Sequence, residues 1–310
     1  VAFSINGDTS GVYIISVTPF SEDGRLDLES TDRLVEFYID SGVTGFTILG
    51  MMGEAQKLTA DESRLYANHV LKRVNGRVPV VVGASSPGLD NMKNFVGDVM
   101  DAGAAGVMIA PGTGLKTDEQ VVNYFRTVFQ TLGADVPVVF QDYPQFTGVS
   151  ISVPALSRLI EEFPQFVMLK HEEFPGLNKL SAIRKLEAKG QRRISILCGN
   201  GAIHLCQEMR RGADGAMSGF SYPEVLVQVV DLFRKGETEK AEDLYDIYLP
   251  LLRHEYQPGM GLAVRKEILH RRGILASSKV RAPGPVFSAE DHDDLTAMIA
   301  RMEKKMKGWN

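Results

Sequence analysis

Ala102-Gly103-Ala104-Ala105-Gly106-Val107-Met108-Ile109-Ala110 decides the fold of this chain. A helical pattern stops at Gly103 and a continuously apolar run begins at Gly106, as when a left-handed glycine ends a helix and turns it tightly into a strand. The same device recurs at Ser41-Gly42-Val43-Thr44-Gly45 and at Arg211-Gly212-Ala213-Asp214-Gly215, each leading directly into a strand. One helix-to-strand junction used three times makes the chain a repetition of β-α units.

Outward from that junction, eight β-rich runs can be read: Val12 to Val17, Gly45 to Leu49, Val78 to Gly83, Gly106 to Ala110, Pro137 to Gln141, Phe166 to Lys170, Ile194 to Cys198, and Asp214 to Ser218. Segments with helical apolar spacing separate them, such as Leu34, Phe37 and Tyr38, or Val70, Leu71 and Val74. Most of the runs are apolar throughout, as parallel strands covered on both faces are. Capping boxes at Thr59 to Glu62, Thr117 to Gln120 and Ser221 to Glu224 mark helix starts. Eight such units predict an α/β fold, a (β/α)8 TIM barrel, because an open doubly wound sheet usually stops at about five to seven strands. The reading assigns 1–235 to the barrel, with its active site at the strand C-terminal ends. It assigns 236–310 to a helical C-terminal extension, with helices over Ala241 to Leu252, Gly261 to His270 and Asp291 to Lys305.

Composition narrows the functions open to such a barrel. With 310 residues, 44% hydrophobic and 24% charged, the chain has enough apolar surface for a large core. Its net charge of -5, with no long like-charge run, offers no footprint for nucleic acid. No apolar stretch is long enough to span a bilayer, and the first residues lack the basic and apolar regions of a signal peptide, so a cytoplasmic protein is expected. Cys198 and Cys206 are too few for a disulfide framework and are expected to be free thiols. The six histidines form neither an HxH nor an HExxH pattern, which argues against a metal-dependent hydrolase.

Lys170 is the only lysine inside a predicted strand, and it closes the run Phe166-Val167-Met168-Leu169. Desolvating an ammonium is costly, so a lysine there is expected to have a use. Strand alternation puts Phe166, Met168 and Lys170 on one face and Val167, Leu169 and His171 on the other. If the first face is the barrel interior, Lys170 is an enclosed amine able to condense with a carbonyl as a Schiff base. The competing reading is a salt bridge to Glu172, Glu173 or a neighbouring loop. His171, on the other face, is expected to find a helix-facing partner. After the second strand, Gly50-Met51-Met52-Gly53-Glu54 forms either a loop whose backbone N–H groups converge on an anion or a plain tight turn capped by Glu54.

The order of Thr18-Pro19-Phe20, Gly50-x-x-Gly53-Glu54, Pro144 with Thr147-Gly148, Lys170 and Gly199 resembles the dihydrodipicolinate synthase and N-acetylneuraminate lyase superfamily. Val264 to Leu269, Gly273 and Arg281-Ala282-Pro283 look like that family's C-terminal helices, so the likeness runs over nearly the whole chain. The resemblance implies a lyase that binds pyruvate or another 2-oxo acid as a Schiff base on Lys170, with an aldehyde-type second substrate. It implies aldol-type C–C bond formation or cleavage, or dehydration. It further implies a homo-oligomer, a homotetramer or homodimer, with no metal or organic cofactor. Gly50 and Gly53 then belong to the carboxylate-binding loop, together with Met51 and Met52, while Gly199 and Met217 line the pocket.

The chain departs from the family at four points. Met51 and Met52 stand where the family has two hydroxyl residues, and neither donates a hydrogen bond to a carboxylate. Gln141 occupies the position of the catalytic tyrosine, Phe146 replaces the arginine that synthases use for the second substrate, and Pro111-Gly112-Thr113-Gly114 lacks the synthases' tyrosine. Tyr143 lies two residues beyond Gln141, about 6.6 Å along an extended strand, and Pro144 biases it toward extended backbone. The expectation is that Tyr143 supplies the missing hydroxyl while Gln141 orients substrate or water. The substrate is expected to be less polar than aspartate semialdehyde. An aldolase or dehydratase of sugar-acid or aromatic-acid breakdown, and a keto-acid-binding barrel without turnover, are the alternatives.

Overall fold

The computed structural model describes residues 3–309. Eight parallel strands form one closed barrel: β1 (Gly11–Ile15), β2 (Gly45–Ile48), β3 (Val80–Gly83), β4 (Gly106–Ile109), β5 (Val138–Asp142), β6 (Phe166–His171), β7 (Ser195–Cys198) and β8 (Gly215–Ala216). Every predicted run overlaps one of these strands, and β1 pairs with β8 to close the ring. At that seam Gly215, at φ 150, faces Gly11, and a Cβ on Gly215 would overlap the Gly11 carbonyl, so only glycine permits the approach.

Two apolar layers hold the barrel. Strand residues such as Phe140, Phe166 and Leu169 face outward into a core shared with the surrounding helices. Tyr13, Ile15, Met108, Val139, Met168 and Leu197 fill the interior, and Ile5, whose amide donates to the Ala105 carbonyl at 3.0 Å, joins them from the N-terminal segment. The interior is therefore packed, and in barrels of this kind active sites lie at the C-terminal mouth.

The capping boxes at Thr59 and Thr117 form as read, each with reciprocal side-chain and backbone bonds to the residue three positions on. The box at Ser221 does not form. The helix begins at Pro223, and the Ser221 hydroxyl donates instead to the Arg265 carbonyl at 3.3 Å. A second correction concerns β6. The register pairs Val138 with Phe166 and Val139 with Met168, so Val167 is an extra residue, a bulge that breaks the alternation. Phe166 consequently faces outward, stacking on Phe140 at 5.6 Å, while Met168 and Lys170 keep the inward face.

After Pro223–Arg234, the segment 236–310 forms the helices Thr238–Glu255, Gly261–Arg271 and Ala289–Met306. Their residues Leu244, Leu251, Val264, Ile268 and Leu295 are buried in the same outer core as the barrel helices. None of the helices described is long and apolar enough to cross a membrane.

Candidate active site

Lys170, on the last inward position of β6, is 5% exposed, and its Nζ lies 3.2 Å from Glu172 Oε2. The same carboxylate oxygen accepts a hydrogen bond from Gln141 Nε2 at 2.8 Å, across the β5–β6 pairing that sets Gln141 beside Lys170. Glu172 Oε1 accepts from the Asn200 amide at 3.4 Å, and the Asn200 side chain donates to the Glu172 carbonyl at 2.7 Å. Tyr256, from the C-terminal extension, donates its hydroxyl to Asn200 Oδ1 at 3.1 Å. A buried carboxylate thus sits between an amine and an amide, with its other oxygen held by the Asn200 amide.

These groups open onto a cavity of about 500 Å³ lined also by Met51, Met52, Tyr143 and Met217. A neighbouring cavity of about 480 Å³ shares Met51, Gln56, Gln141 and Phe146 with it and extends over β2, β3 and β4. The predicted residues therefore divide. Lys170, Gln141, Tyr143, Met51, Met52 and Met217 meet around one space, whereas Gly50 lines only the neighbouring one. Gly199 stands behind Glu172: a Cβ there would overlap Glu172 Cγ, so the glycine makes room for the carboxylate. Gly53 carries a backbone role, its carbonyl accepting from Thr18 Oγ1 at 2.6 Å.

Tyr143 follows the end of β5 and precedes a single helical turn, Pro144–Thr147. Its ring stacks against Phe146 at 6.0 Å, and burial, with a smaller contribution from the Glu172 charge, pushes the phenol up to about 12. It therefore stays protonated near neutral pH and offers a donor, not a base. The other polar residues of these strands face away. His171 Nε2 lies 2.9 Å from the Gly176 carbonyl, and burial holds its imidazole below the ordinary histidine range. Lys179 Nζ donates to Asp142 Oδ2 at 2.6 Å and lies 3.2 Å from Glu173.

Glu172 is the residue that the sequence reading missed as chemistry, having placed it only as a salt-bridge partner. The signal was available: Lys-x-Glu at a strand end puts both side chains on one face. Asn200 and Tyr256 join it from distant segments, and no local pattern announces them. The Glu54 side chain makes no cap hydrogen bond to the turn that follows, against the capping role expected of it, and is instead fully buried.

The whole arrangement, a strand-six lysine inside a closed barrel mouth with a partnered carboxylate, is that of a Schiff-base lyase. Residues 8–302 match the model of the dihydrodipicolinate synthetase family, and the chain belongs to that family. Its members form a covalent lysine Schiff base and use neither a metal nor another cofactor. The chain is 30% identical over 303 residues to the L-2-keto-3-deoxyarabonate dehydratase of Azospirillum brasilense, covering 96% of each protein. It is also 30% identical over 246 residues to a 4-hydroxy-tetrahydrodipicolinate synthase of Methanococcus vannielii, covering 78% of this chain and 82% of that one. Among solved structures, a dihydrodipicolinate synthase from Rhodopseudomonas palustris superposes with a TM-score of 0.95 at 43% identity, covering 97% of this chain and 100% of that one.

Proposed function

We propose that this chain is a Schiff-base dehydratase acting on a 2-keto-3-deoxy sugar acid. The observation that carries the reading is the single Glu172 oxygen within reach of both Lys170 Nζ and Gln141 Nε2. Where the family has a tyrosine, this chain has an amide that cannot move a proton, so the adjacent carboxylate is left to do so. Likeness to a keto-deoxy-sugar dehydratase over nearly the full length supports the same substrate class.

Lys170 Nζ attacks C2 of the 2-oxo acid, and the carbinolamine loses water to give an iminium, an electron sink for the C3–H bond. Glu172 takes the C3 proton, giving an enamine whose electrons form the C3–C4 double bond as the C4 hydroxyl leaves. Glu172 returns its proton to that hydroxyl, which departs as water. Hydrolysis of the iminium then frees Lys170. Gln141 and Asn200 hold Glu172 in place, and the Tyr143 hydroxyl donates to a substrate oxygen. The Met51–Gly53 turn, whose Gly50 cap carries no side chain and whose Gly53 amide already donates to the Gly50 carbonyl, seats the C1 carboxylate on the Met51 and Met52 amides. Met51, Met52 and Met217 make the remaining wall apolar.

The test is borohydride trapping with pyruvate and with 2-keto-3-deoxyarabonate, read by intact mass, beside a dehydration assay. An adduct with turnover, both lost in Lys170→Ala, supports the reading. An adduct without turnover supports a keto-acid-binding barrel, and an adduct from no 2-oxo acid removes the Schiff base altogether. The same reading carries a cytoplasmic homotetramer or homodimer, with Phe146 at 62% and Leu65 at 52% exposure as candidate apolar contacts, which sedimentation checks.

A further inference from the structure

The turn Met51–Gly53 is bracketed by Leu49 at φ 54 and Glu54 at φ 55, two non-glycine residues in the left-handed region. Side chains of this kind adopt that conformation rarely, and it persists where the surroundings impose it. The surroundings of Glu54 do so with three contacts from outside the turn. Its Oε1 accepts from Lys266 Nζ at 2.6 Å, and its Oε2 accepts from Lys57 Nζ at 2.9 Å and from the Arg281 amide at 3.0 Å. Lys57 also donates to the Arg281 carbonyl at 2.7 Å.

Lys266 is wholly buried, although it comes from the C-terminal helix Gly261–Arg271 and is 212 residues from Glu54. Its ammonium also donates to the Lys279 carbonyl at 2.8 Å and lies 4.5 Å from the Phe20 ring centroid. The charged groups around it are Glu54, Lys57 and Arg281, and the Arg281 guanidinium is itself held by Glu62. A buried ion pair is a weak source of net stability compared with apolar packing, so its placement asks for another explanation. The placement is specific: it fixes one of the two strained ends of the cavity turn.

We propose that Lys266 is a positioning residue that acts through Glu54, so that the C-terminal extension sets the geometry of the Met51–Gly53 turn and thereby the site's selectivity for a carboxylate. The inference rests on the reading of that turn as the seat of the C1 carboxylate. Lys266 and Glu54 line neither of the two cavities. The loss of Lys266 should therefore change which carbonyl compounds are captured more than whether capture occurs.

The experiment compares the concentration dependence of borohydride trapping for pyruvate and its methyl ester, which keeps the ketone but lacks the carboxylate. It uses the wild type, Lys266→Met and the isosteric Glu54→Gln, with thermal melting to show that each variant is folded. The wild type should favour pyruvate over the ester by about ten-fold, the equivalent of a hydrogen bond to a charged group. In Lys266→Met that preference should collapse to about two-fold, and Glu54→Gln should fall between. If Lys266→Met does not fold, the Glu54→Gln ratio decides alone. A preference retained in the variants, or an equal rise for both ligands, overturns the positioning role. A wild type that captures the ester as readily as pyruvate removes the carboxylate seat itself, and the inference with it.

Discussion

Two polar clusters lie back to back across β5 and β6, built from adjacent residues. Gln141, Lys170 and Glu172 meet inside the barrel mouth, while Asp142, His171 and Lys179 meet outside it, beneath the helix Leu177–Glu187. Both hold a lysine against a carboxylate in nearly complete burial. They differ in what lies beyond: the inner lysine faces a cavity of about 500 Å³, whereas the outer lysine is spent on Asp142 and Glu173. Burial and charge alone therefore do not mark a reactive amine. An unfilled space in front of the amine does.

Exchanging the roles of the two carboxylates is the strongest way to break this comparison. Glu172→Gln should lower turnover about 10²- to 10⁴-fold, the range of a lost proton carrier, while Lys170 still traps a 2-oxo acid. Asp142→Asn, at the outer cluster, should leave turnover per folded molecule within about two-fold, because the Asp142 carboxylate is bound to Lys179 and does not line the cavity. Equal losses in both variants would mean that the inner cluster is no more catalytic than the outer one.

Stability should show the reverse pattern. Lys179→Met leaves Asp142 buried without its cation, and burial already pushes that carboxyl above its ordinary range, with Lys179 opposing the rise. The cost is expected to be about 3 kcal/mol in urea unfolding, with turnover by the folded fraction retained. A variant as stable as the wild type would show that Asp142 is protonated in the native protein and that the lysine adds little.

Much of this was legible in the sequence because it is written locally. The glycine junctions at Gly42, Gly103 and Gly212, the apolar runs, and a lysine closing one of them report on residues within a few positions of each other. What was not legible depends on non-local packing. The Val167 bulge reverses Phe166 without changing any residue type, and it is visible only in the pairing with β5. Ser221 has the sequence of a helix cap yet is claimed by Arg265 and Glu255 from the C-terminal helices. Asn200 reaches Glu172 and Tyr256 reaches Asn200 from two other parts of the chain, and the Glu54–Lys266 pair closes over 212 residues. A local pattern names the strand that carries the amine, whereas its surroundings are assembled by the closed fold.

A third buried acid sharpens the contrast, having neither cavity nor lysine. Glu208, on the short helix Leu205–Arg210 behind β7, meets the Cys198 thiol, and burial pushes its carboxyl up to about 7. A carboxyl raised in the fold contributes stability below its unfolded value of 4.5, and that contribution is lost as pH rises through about 7. Glu208→Gln should therefore be about 2 kcal/mol more stable than the wild type at pH 8 and gain nothing at pH 4. Urea unfolding at the two pH values checks the sign, and a gain that is equal at both would show that the carboxyl does not titrate between them.

Tyr143 should give the smallest effect, and its size distinguishes two divisions of labour within the inner cluster. Its phenol, pushed up to about 12, stays protonated, so it donates one hydrogen bond while Glu172 moves the proton. Tyr143→Phe then removes one neutral donor, worth about ten-fold in kcat/KM, and leaves borohydride trapping in place. A loss above about a hundred-fold would instead match proton transfer by the phenol, in the manner first expected of it from the sequence. Glu172 would then be the group that orients, and Gln141, 2.8 Å from it, would be there to hold the acid still. Because the two residues line one cavity, the double variant completes the test. Additive losses would assign them separate steps, whereas a double variant no worse than Glu172→Gln would place Tyr143 and Glu172 in one relay.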